Sequence, residues 1–527
     1  MKKKIEIFDT TLRDGAQTPS VSFSVSDKIK IAKLLDELGV DYIEGGWPGS
    51  NPKDIEFFKQ AKNLKLKTAK IVAFGSTRRK NIKPYEDQNL AAIISSGVSI
   101  ACIFGKTWRL HVERALETTL QENLKMIYDS IKFLKEHKLK VIYDAEHFFD
   151  GYKSDKNYAL KCLLTAYQAG ADCLVLADTN GGSLPTEVKQ IVSEVIDFLK
   201  TKDIKVKLGI HAHNDSDCAV ANTIVAVESG CEHVQGTING LGERCGNANL
   251  CSVIPALMLK LNYDVIPKEN LKKLTEISLE VYEIANLIPN DRQPYVGRSA
   301  FAHKGGVHAS AVAKDVRSYE HINPELVGNK RKILISELAG KSSLLFYKKF
   351  LDLEITEEEI AKIIKVVKQK EYDGYSYENA EGSFLILTAK VLNRYKDFFK
   401  VKGFRVIIEY KEEKNEIVTE ATLKLEIDGN EEHVVAEGDG PVNALDNALR
   451  KALIKYYPSL KEVKLTDFKV RVVNPQAGTA AKVRVSIESM AKNELWSTVG
   501  VSENIIEASW EALRDAVEYY LFKKSKQ

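Results

Sequence analysis

The first 250 or so residues repeat one pattern eight times, and this repetition constrains the fold more than any other feature of the chain. In each copy a short apolar run leads into a loop with Gly, Asp or Asn, and then into a stretch with apolar residues at helical spacing. Eight such units match the size of a (β/α)8 TIM barrel; the alternative, an open doubly wound sheet, more often has about five to seven strands. The predicted strands cover residues 5–11, 41–46, 68–75, 99–105, 140–146, 173–179, 207–213 and 233–240.

The rest of the chain predicts two further regions. Residues 255–370 have a mainly helical pattern, interrupted by a polar loop at 287–312, and residues 371–382 have the composition of a linker. We therefore expect three parts: a barrel domain at 1–270, helical linker subdomains at 271–380 and a regulatory α+β domain at 381–527.

The C-terminal region contains an approximate internal repeat. Residues 419–457 and 480–521 each predict two strands, a Gly-containing turn and a helix, and the segments ALRKA and ALRDA occupy the same place in the two copies. Paired ββα or βββα units of this kind offer a pseudo-symmetric ligand cleft. Because the turns carry no His, Cys or paired carboxylates, we expect this part to regulate rather than to catalyse.

Charge and cysteine content exclude several classes of function. Lys and Arg number 76 against 73 Asp and Glu, so the net charge of +3 gives no field that would attract nucleic acid or an anionic membrane. No run of apolar residues is long enough to suggest a membrane span. Seven cysteines, an odd number without CxxC spacing, indicate reduced thiols, and we expect a cytoplasmic protein.

Polar residues cluster where the predicted barrel strands end. In a barrel this carboxyl-terminal rim carries the loops that build the active site, so an enzyme is the leading expectation. The residues are Arg13, Asp14, Glu44, Glu146, Asp178, Thr179, His211, His213 and Asn239.

The motif that most strongly indicates a functional site is GIHAHND, which contains His211 and His213. Residues two apart on a strand point to the same face, and two imidazoles on one face suit a divalent metal. Asp14, just past the first strand, can reach the same ion. This mixed oxygen and nitrogen set fits Mn²⁺, Mg²⁺ or Zn²⁺ about equally, and open coordination positions would make the site catalytic. Asn247 is either a fourth, weaker ligand or a residue that only shapes its turn.

Arg13 and Thr179 add groups that recognise a carboxylate. A guanidinium binds a carboxylate through two parallel hydrogen bonds, although Arg13 could instead form an internal salt bridge with Glu44 or Glu146. Thr179 supplies a hydroxyl donor, although a Thr at a strand end is often only structural. With the metal, these groups describe a pocket for a short 2-oxo acid whose carbonyl is polarised as an electrophile.

Five separated motifs, in order along nearly the whole chain, resemble the α-isopropylmalate, homocitrate and citramalate synthase family of metal-dependent acyltransferases. YIEGGWPGSNPKD (42–54) and DAEHFFDGYK (144–153) are further similar to its citramalate-forming rather than its isopropylmalate-forming members. The five motifs are DTTLRDGAQ (9–17), HAHND (211–215), GERCGNAN (242–249), FAHKGGVHAS (301–310) and, like the regulatory domain of feedback-inhibited members, GDGPVNALDNAL (438–449).

The resemblance implies a Claisen-type condensation of acetyl-CoA with a 2-oxo acid, followed by hydrolysis of the thioester. It implies pyruvate as the acceptor, with 2-oxoisovalerate as the alternative, a homodimer, and isoleucine as an allosteric inhibitor. A retro-aldol lyase would not need the C-terminal region, and a metabolite sensor would leave the metal residues unexplained. By matching position, the implied roles are metal binding for Asp14, His211 and His213 with Asn247 nearby, pyruvate binding for Arg13 and Thr179, a place on the acetyl-CoA side for Gln17, assistance in proton transfer or orientation of the nucleophilic partner for Glu146, and catalysis from the neighbouring subunit for His308 and Tyr319.

Overall fold

The computed structural model describes residues 2–303, 311–312, 315–333, 355–412, 415–491 and 494–525, with the side chains of Ile333 and Lys411 excepted. The chain forms two compact units. The first comprises Met1–Phe301 with Ile322–Arg331, and the second comprises Ala302–His321 with Lys332–Gln527. The three-part division at residues 270 and 380 stays a prediction.

The first unit contains a closed barrel of eight parallel strands in sequence order, which confirms the predicted (β/α)8 fold over the open sheet. Each strand pairs with the next, and the last closes on the first with Ile7 opposite Val234. The strands are β1 (Glu6–Asp9), β2 (Tyr42–Gly46), β3 (Lys70–Ser76), β4 (Ile100–Lys106), β5 (Lys140–Glu146), β6 (Cys173–Asp178), β7 (Lys207–Ala212) and β8 (His233–Gly236).

At least one helix follows each strand, and a further helix follows the last of these. The helices are α1 (Val25–Leu38), α2 (Pro52–Ala61), α3 (Gln88–Ser96), α4 (Arg109–Arg114), α5 (Leu120–Glu136), α6 (Phe148–Ser154), α7 (Lys156–Gln168), α8 (Pro185–Thr201), α9 (Ala219–Ser229), α10 (Leu250–Leu259) and α11 (Leu274–Ile284).

Helix α1 shows how local sequence sets these boundaries. The Ser24 side chain accepts a hydrogen bond from Asp27 N at 3.2 Å, and the Asp27 carboxylate accepts one from Ser24 N at 2.9 Å. This reciprocal cap satisfies two amides at the helix start that have no helical partner. The helix ends at Gly39, whose φ of 95° is a left-handed conformation that glycine adopts without strain.

Alternate residues of the strands fill the inside of the barrel, while the others pack against the helices. An apolar cluster fills much of the interior, and polar side chains gather at the carboxyl-terminal end, where the predicted site lies. The buried residues of this inner cluster are Phe8, Tyr42, Val72, Phe74, Ile100, Cys102, Ile142, Cys173 and Val175.

The second unit contains two antiparallel three-stranded sheets, each followed by a helix that packs on it. The predicted repeat is confirmed, and each copy is a βββα unit because an additional strand precedes the two that the pattern predicted. The elements are β9 (Ala302–His303), β10 (Lys332–Ile333), α12 (Glu357–Tyr372), α13 (Glu381–Val391), β11 (Lys400–Lys411), β12 (Glu416–Ile427), β13 (Asn430–Gly438), α14 (Pro441–Leu453), β14 (Lys464–Val472), β15 (Val483–Ala491), β16 (Glu494–Ser502) and α15 (Ile505–Lys524).

The linker expected at 371–382 is wrong. Tyr377 is 4 % exposed and Ala380 is 1 % exposed, within a hydrophobic cluster that also contains Ile363 of α12 and Val499 of β16. The composition of the segment resembles a linker because Gly, Asp and Asn separate its apolar residues. Tertiary packing nevertheless buries Tyr377 and Ala380.

Two further expectations about the chain can be compared with the described residues. Among the helices that the structure describes, none combines the length and the hydropathy needed to cross a membrane. All seven cysteines are free thiols, and six of them are buried or partly buried while Cys245 is exposed.

Candidate metal and substrate site

The turn after β1 presents Arg13 and Asp14 to the barrel opening. Asp9 at the end of β1 accepts hydrogen bonds from Thr11 N at 2.8 Å and from the Thr11 hydroxyl at 2.9 Å. The Thr10 carbonyl then accepts the amide of Arg13 at 3.1 Å. The sequence DTTLRD therefore forms a tight, internally bonded turn that fixes where the last two side chains emerge.

The structure brings Asp14, His211 and His213 together. His211 Nε2 lies 3.2 Å from His213 Nε2, and Asp14 Oδ2 lies 3.7 Å and 3.8 Å from these two nitrogens. All three side chains are buried, with exposures of 3–5 %. This is the one group of three or more His, Cys, Asp and Glu side chains with metal-binding geometry among the described residues.

The protonation states of these groups suit a cation. Burial, reinforced by His213, lowers the pKa of His211 to about 3, and burial also lowers the pKa of His213. Burial raises the pKa of Asp14, but the Arg13 guanidinium and the two imidazoles outweigh it and hold that pKa well below its usual range. At neutral pH the site therefore offers a carboxylate and two neutral imidazoles, the forms that ligate metals.

The spacing and the unpaired atoms also fit a metal ion. Ligand atoms about 2.1 Å from one shared ion lie about 3.0–3.4 Å apart, close to the separations seen here. Asn247 Nδ2 donates to Asp14 Oδ1 at 3.0 Å, which orients the carboxylate. Asn247 Oδ1 is buried without a hydrogen-bond partner, so an amide oxygen is available as a further metal ligand.

Arg13 is held between two carboxylates and an aromatic ring. Its Nε lies 2.6 Å from Glu44 Oε2 and its Nη1 lies 2.8 Å from Asp14 Oδ2. Its guanidinium lies 3.8 Å from the centre of the Phe74 ring. The sequence left Glu44 and Glu146 open as salt-bridge partners of Arg13, and in the structure the partner is Glu44.

An aromatic cluster adjoins Arg13. The rings of Phe74 and Phe104 stack with centroids 5.5 Å apart, and Trp47 meets both edge-on at 5.6 Å and 5.7 Å. We call these three residues the aromatic wall. It places rigid, bulky side chains beside the group expected to bind a carboxylate.

Glu146 and Thr179 lie at the ends of the neighbouring strands β5 and β6. Glu146 forms an ion pair with Lys106 rather than with Arg13. The Thr179 hydroxyl accepts the His147 amide at 2.8 Å, and the Thr179 carbonyl accepts a hydrogen bond from Arg244 at 2.8 Å. Since that hydroxyl already accepts a bond, its own proton remains for a further acceptor.

Gln17 and Arg13 line the same cavity, whose volume is about 630 Å³. Its walls combine apolar residues such as Leu12 and Phe23 with polar ones such as Asn51. Of the two remaining predicted residues, His308 lies outside the described residues, and Tyr319 belongs to the second unit, where it is 45 % exposed.

Comparison with known proteins assigns the chain to a family. Three family models match it: HMGL-like at residues 4–281, homocitrate synthase post-HMGL domain-like at 295–374, and LeuA allosteric (dimerisation) domain at 354–521. An (R)-citramalate synthase of Aquifex aeolicus is 54 % identical, covering 100 % of this chain and 99 % of that protein. The chain belongs to the (R)-citramalate synthase family. A family member of Geobacter sulfurreducens is 53 % identical, covering 99 % of this chain and 98 % of that protein.

A second branch is more distant from this member of the (R)-citramalate synthase family. A 2-isopropylmalate synthase of Methanocaldococcus jannaschii is 32 % identical, covering 99 % of this chain and 96 % of that protein. The similarity to both kinds of protein extends over nearly the full length, so domain content does not separate them.

Sequence reasoning missed two buried polar residues in this member of the (R)-citramalate synthase family. Gln235 of β8 lies 2.8 Å from His211 Nδ1 through its Oε1 and donates from Nε2 to Asp144 Oδ1 of β5 at 2.9 Å. The alternation of side chains along a strand could have revealed both residues. Asp144 shares a face with Glu146, and Gln235 is a polar amide on the same face of β8 as His233.

Proposed function

We propose that the chain catalyses the reaction of its (R)-citramalate synthase relatives: acetyl-CoA, pyruvate and water give (R)-citramalate, CoA and a proton. The observation that carries this is the identity of 46–54 % over nearly the whole chain to (R)-citramalate synthases from five organisms. A 2-isopropylmalate synthase is only 32 % identical, so 2-oxoisovalerate is the less favoured acceptor.

A divalent cation, Mn²⁺, Mg²⁺ or Zn²⁺, would be held by Asp14, His211 and His213, with Asn247 Oδ1 beside them. The burial of these side chains, their protonation states and their spacing support this assignment. When bound, such a cation acts as a Lewis acid on the oxygen atoms of the 2-oxo acid.

Arg13 would bind the pyruvate carboxylate, and Thr179 would donate its free hydroxyl proton to the same substrate. The ion pair with Glu44 and the stacking on Phe74 hold the guanidinium in one orientation, so little conformational entropy is lost when the substrate binds. The aromatic wall would then face the alkyl group of the acceptor. A methyl group needs less room there than an isopropyl group, which supports pyruvate over 2-oxoisovalerate.

Acetyl-CoA would occupy the cavity of about 630 Å³ next to Arg13, in contact with Gln17. A volume of this size suits a substrate larger than pyruvate. Its polar lining, which includes Asn51 and Lys53, offers hydrogen bonds and a positive charge for the polar parts of acetyl-CoA. The two substrates would therefore meet at Arg13.

The proton transfers would involve Glu146, His308 and Tyr319. A base removes a proton from the acetyl methyl group, the resulting carbon nucleophile forms a bond to C2 of pyruvate, and the former carbonyl oxygen takes up a proton. Water then cleaves the thioester and releases CoA. We assign the base to His308, accompanied by Tyr319 from a neighbouring subunit, and we assign to Glu146, held by Lys106, assistance in proton transfer.

A homodimer follows from this assignment and from the match of the C-terminal region to a dimerisation domain. Apolar side chains on β14 support it, because Leu465, Phe468, Val470 and Val472 are 37–47 % exposed in the single chain. A second copy of the chain would cover them. Reduced thiols support a cytoplasmic location.

Isoleucine, the expected end product of the route that this reaction enters, would bind the strand-to-helix turns at 438–441 and 500–504 and lower activity. The turns occupy equivalent places in the two repeats. Close packing already explains Gly438 and Gly500, since a Cβ would lie 2.4 Å from Ala444 N and 2.0 Å from Ala508 O. Gly440 has open space around it and is the position where a ligand is accommodated most easily.

The test is a CoA-release assay on the purified chain with acetyl-CoA and each of pyruvate, 2-oxoisovalerate and 2-oxoglutarate, with and without a divalent cation. The proposal predicts cation-dependent CoA release that is greatest with pyruvate, and a product that is identified as citramalate by chiral chromatography. Equal or greater turnover on 2-oxoisovalerate would refute the choice of acceptor.

A further inference from the structure

Gln235 lies under the candidate metal site and joins two strands across the barrel. Its side chain is 0 % exposed. Its Oε1 lies 2.8 Å from His211 Nδ1, and its Nε2 lies 2.9 Å from Asp144 Oδ1. Both ends of the amide are therefore used, one toward a proposed metal ligand and one toward a buried carboxyl group.

The direction of these two hydrogen bonds fixes the orientation of the amide. In the structure the NH2 end of Gln235 donates to Asp144 Oδ1, and the carbonyl end points to His211. A carbonyl oxygen only accepts, and His211 Nδ1 must therefore carry a hydrogen. A neutral imidazole has one N–H, which leaves the lone pair on Nε2.

That lone pair is on the nitrogen that faces the other two ligands. His211 Nε2 is the atom 3.2 Å from His213 Nε2 and 3.7 Å from Asp14 Oδ2. The opposite tautomer would put a hydrogen there and close one coordination position. Partners that fix the tautomer of a ligating His in this way commonly change metal affinity by about 10- to 100-fold when they are removed.

We propose that Gln235 is a positioning residue that, held by Asp144, locks His211 in the tautomer that presents Nε2 to a divalent cation. The proposal rests on the proposed metal site and adds the residues that prepare it. Neither residue touches the substrate in this account. Their effect on the reaction passes through His211.

Three variants separate this role from simple packing. Gln235→Leu removes both hydrogen bonds. Gln235→Glu keeps an acceptor for His211 but places a second carboxyl group against Asp144. Adding Asp144→Asn to Gln235→Glu restores a donor and an acceptor between the two side chains while His211 keeps its acceptor. Asn222→Leu is the control, because Asn222 is also 0 % exposed and donates at 2.8 Å to the Ser183 carbonyl, outside the metal site.

The first readout is Mn²⁺ affinity of the cation-free full-length chain, measured by calorimetry without substrates. We expect about 10- to 100-fold weaker binding for Gln235→Leu, weaker binding for Gln235→Glu, recovery in the double variant and no change for Asn222→Leu. Unchanged affinity in folded Gln235→Leu would overturn the proposal. If that variant does not fold, the double variant decides: recovery relative to Gln235→Glu supports the lock, and no recovery contradicts it.

The second readout is the tautomer itself, from ¹⁵N chemical shifts of labelled histidines in the cation-free chain, with the His211 signal assigned by its loss in His211→Gln. The lock predicts Nδ1–H in the unaltered chain and loss of that preference in Gln235→Leu. A chain that binds no divalent cation would refute the metal site, whereas the tautomer measurement would still test the lock. An Nε2–H tautomer in the unaltered chain would refute the lock alone.

Discussion

Glu44 Oε2 lies 2.6 Å from Arg13 Nε, and the Glu44 side chain is 0 % exposed. The same oxygen accepts the Thr10 hydroxyl at 2.5 Å, while Glu44 Oε1 is buried without a hydrogen-bond partner. A buried carboxylate with so few partners is stable only beside a cation, so Glu44 needs Arg13 next to it. The ion pair in turn fixes the orientation of the Arg13 guanidinium. The residue expected to bind pyruvate is thus oriented before the substrate arrives.

Replacing Glu44 with Gln should raise KM for pyruvate and lower kcat/KM by about 10- to 100-fold, because the neutral amide fills the same space but no longer fixes the guanidinium. Steady-state kinetics with saturating acetyl-CoA measure this. Glu6→Gln is the matched control: Glu6 is also a glutamate of a barrel strand, β1, but it pairs with Lys207 at the opposite end of the barrel. It should lower stability without changing KM, and a Glu44→Gln enzyme with unaltered KM would contradict the role given to the pair.

Arg13→Lys should lose most of its activity although the charge is kept. The planar guanidinium of Arg13 contacts Glu44 and Asp14 and leaves a further N–H edge for a substrate carboxylate. A lysine ammonium is a compact charge that cannot make these contacts at once, and it does not stack on the Phe74 ring as a planar group does. We expect a fall in kcat/KM of at least about 100-fold, equivalent to about 2.7 kcal/mol. Near-normal kinetics in this variant would mean that Arg13 has only a structural salt bridge.

Truncating the aromatic wall should change the choice of acceptor. Phe104→Ala removes a ring beside Phe74 without removing the ring that contacts Arg13. The ratio of kcat/KM for 2-oxoisovalerate to that for pyruvate should rise by about 10- to 200-fold, the range that one or two methylenes contribute in an apolar pocket. Phe133→Ala on α5 is a control outside the strands of the barrel. An equal ratio in both variants would show that the aromatic wall does not select the acceptor.

Removal of divalent cations should abolish activity reversibly. Dialysis against a chelator should stop CoA release, and re-addition of Mn²⁺, Mg²⁺ or Zn²⁺ should restore it. A cation that binds only the folded chain also adds about 2.7 kcal/mol of stability at 100 times its Kd. The melting temperature should therefore rise with added cation in the unaltered chain and in the exposed-site control His137→Leu, but not in His213→Leu. A rise in His213→Leu equal to that of the control would place the cation elsewhere.

Sensitivity to isoleucine should depend on the turn before α14. Gly440→Leu introduces a side chain into open space, so it should fill the proposed ligand position without disturbing the helix. We expect the isoleucine concentration for half inhibition to rise by about tenfold or more, which corresponds to about 1.4 kcal/mol. Gly403→Leu, at a second open glycine on β11, should leave inhibition unchanged. Identical inhibition curves for the two variants would refute the assignment of this turn.

The barrel is predictable from sequence because each strand has its own apolar run and each helix its own periodicity and stop signal, as with Ser24 and Gly39 of α1. The HxH pair is predictable for the same reason, since residues two apart share a strand face. The partner of Arg13 is not: Glu44 and Glu146 both end strands, and only the closed barrel places Lys106 beside Glu146. Gln235 and Asp144 meet across the barrel from strands about ninety residues apart, and burial of Tyr377 depends on packing that local composition does not encode.

The measurement that tests the central claim most directly is a competition assay in which the purified chain receives acetyl-CoA, a divalent cation and equal concentrations of pyruvate and 2-oxoisovalerate. The ratio of citramalate to 2-isopropylmalate formed gives the ratio of the two kcat/KM values in one vessel. We predict that citramalate dominates by at least about tenfold. Equal amounts of the two products, or an excess of 2-isopropylmalate, would contradict the proposed function.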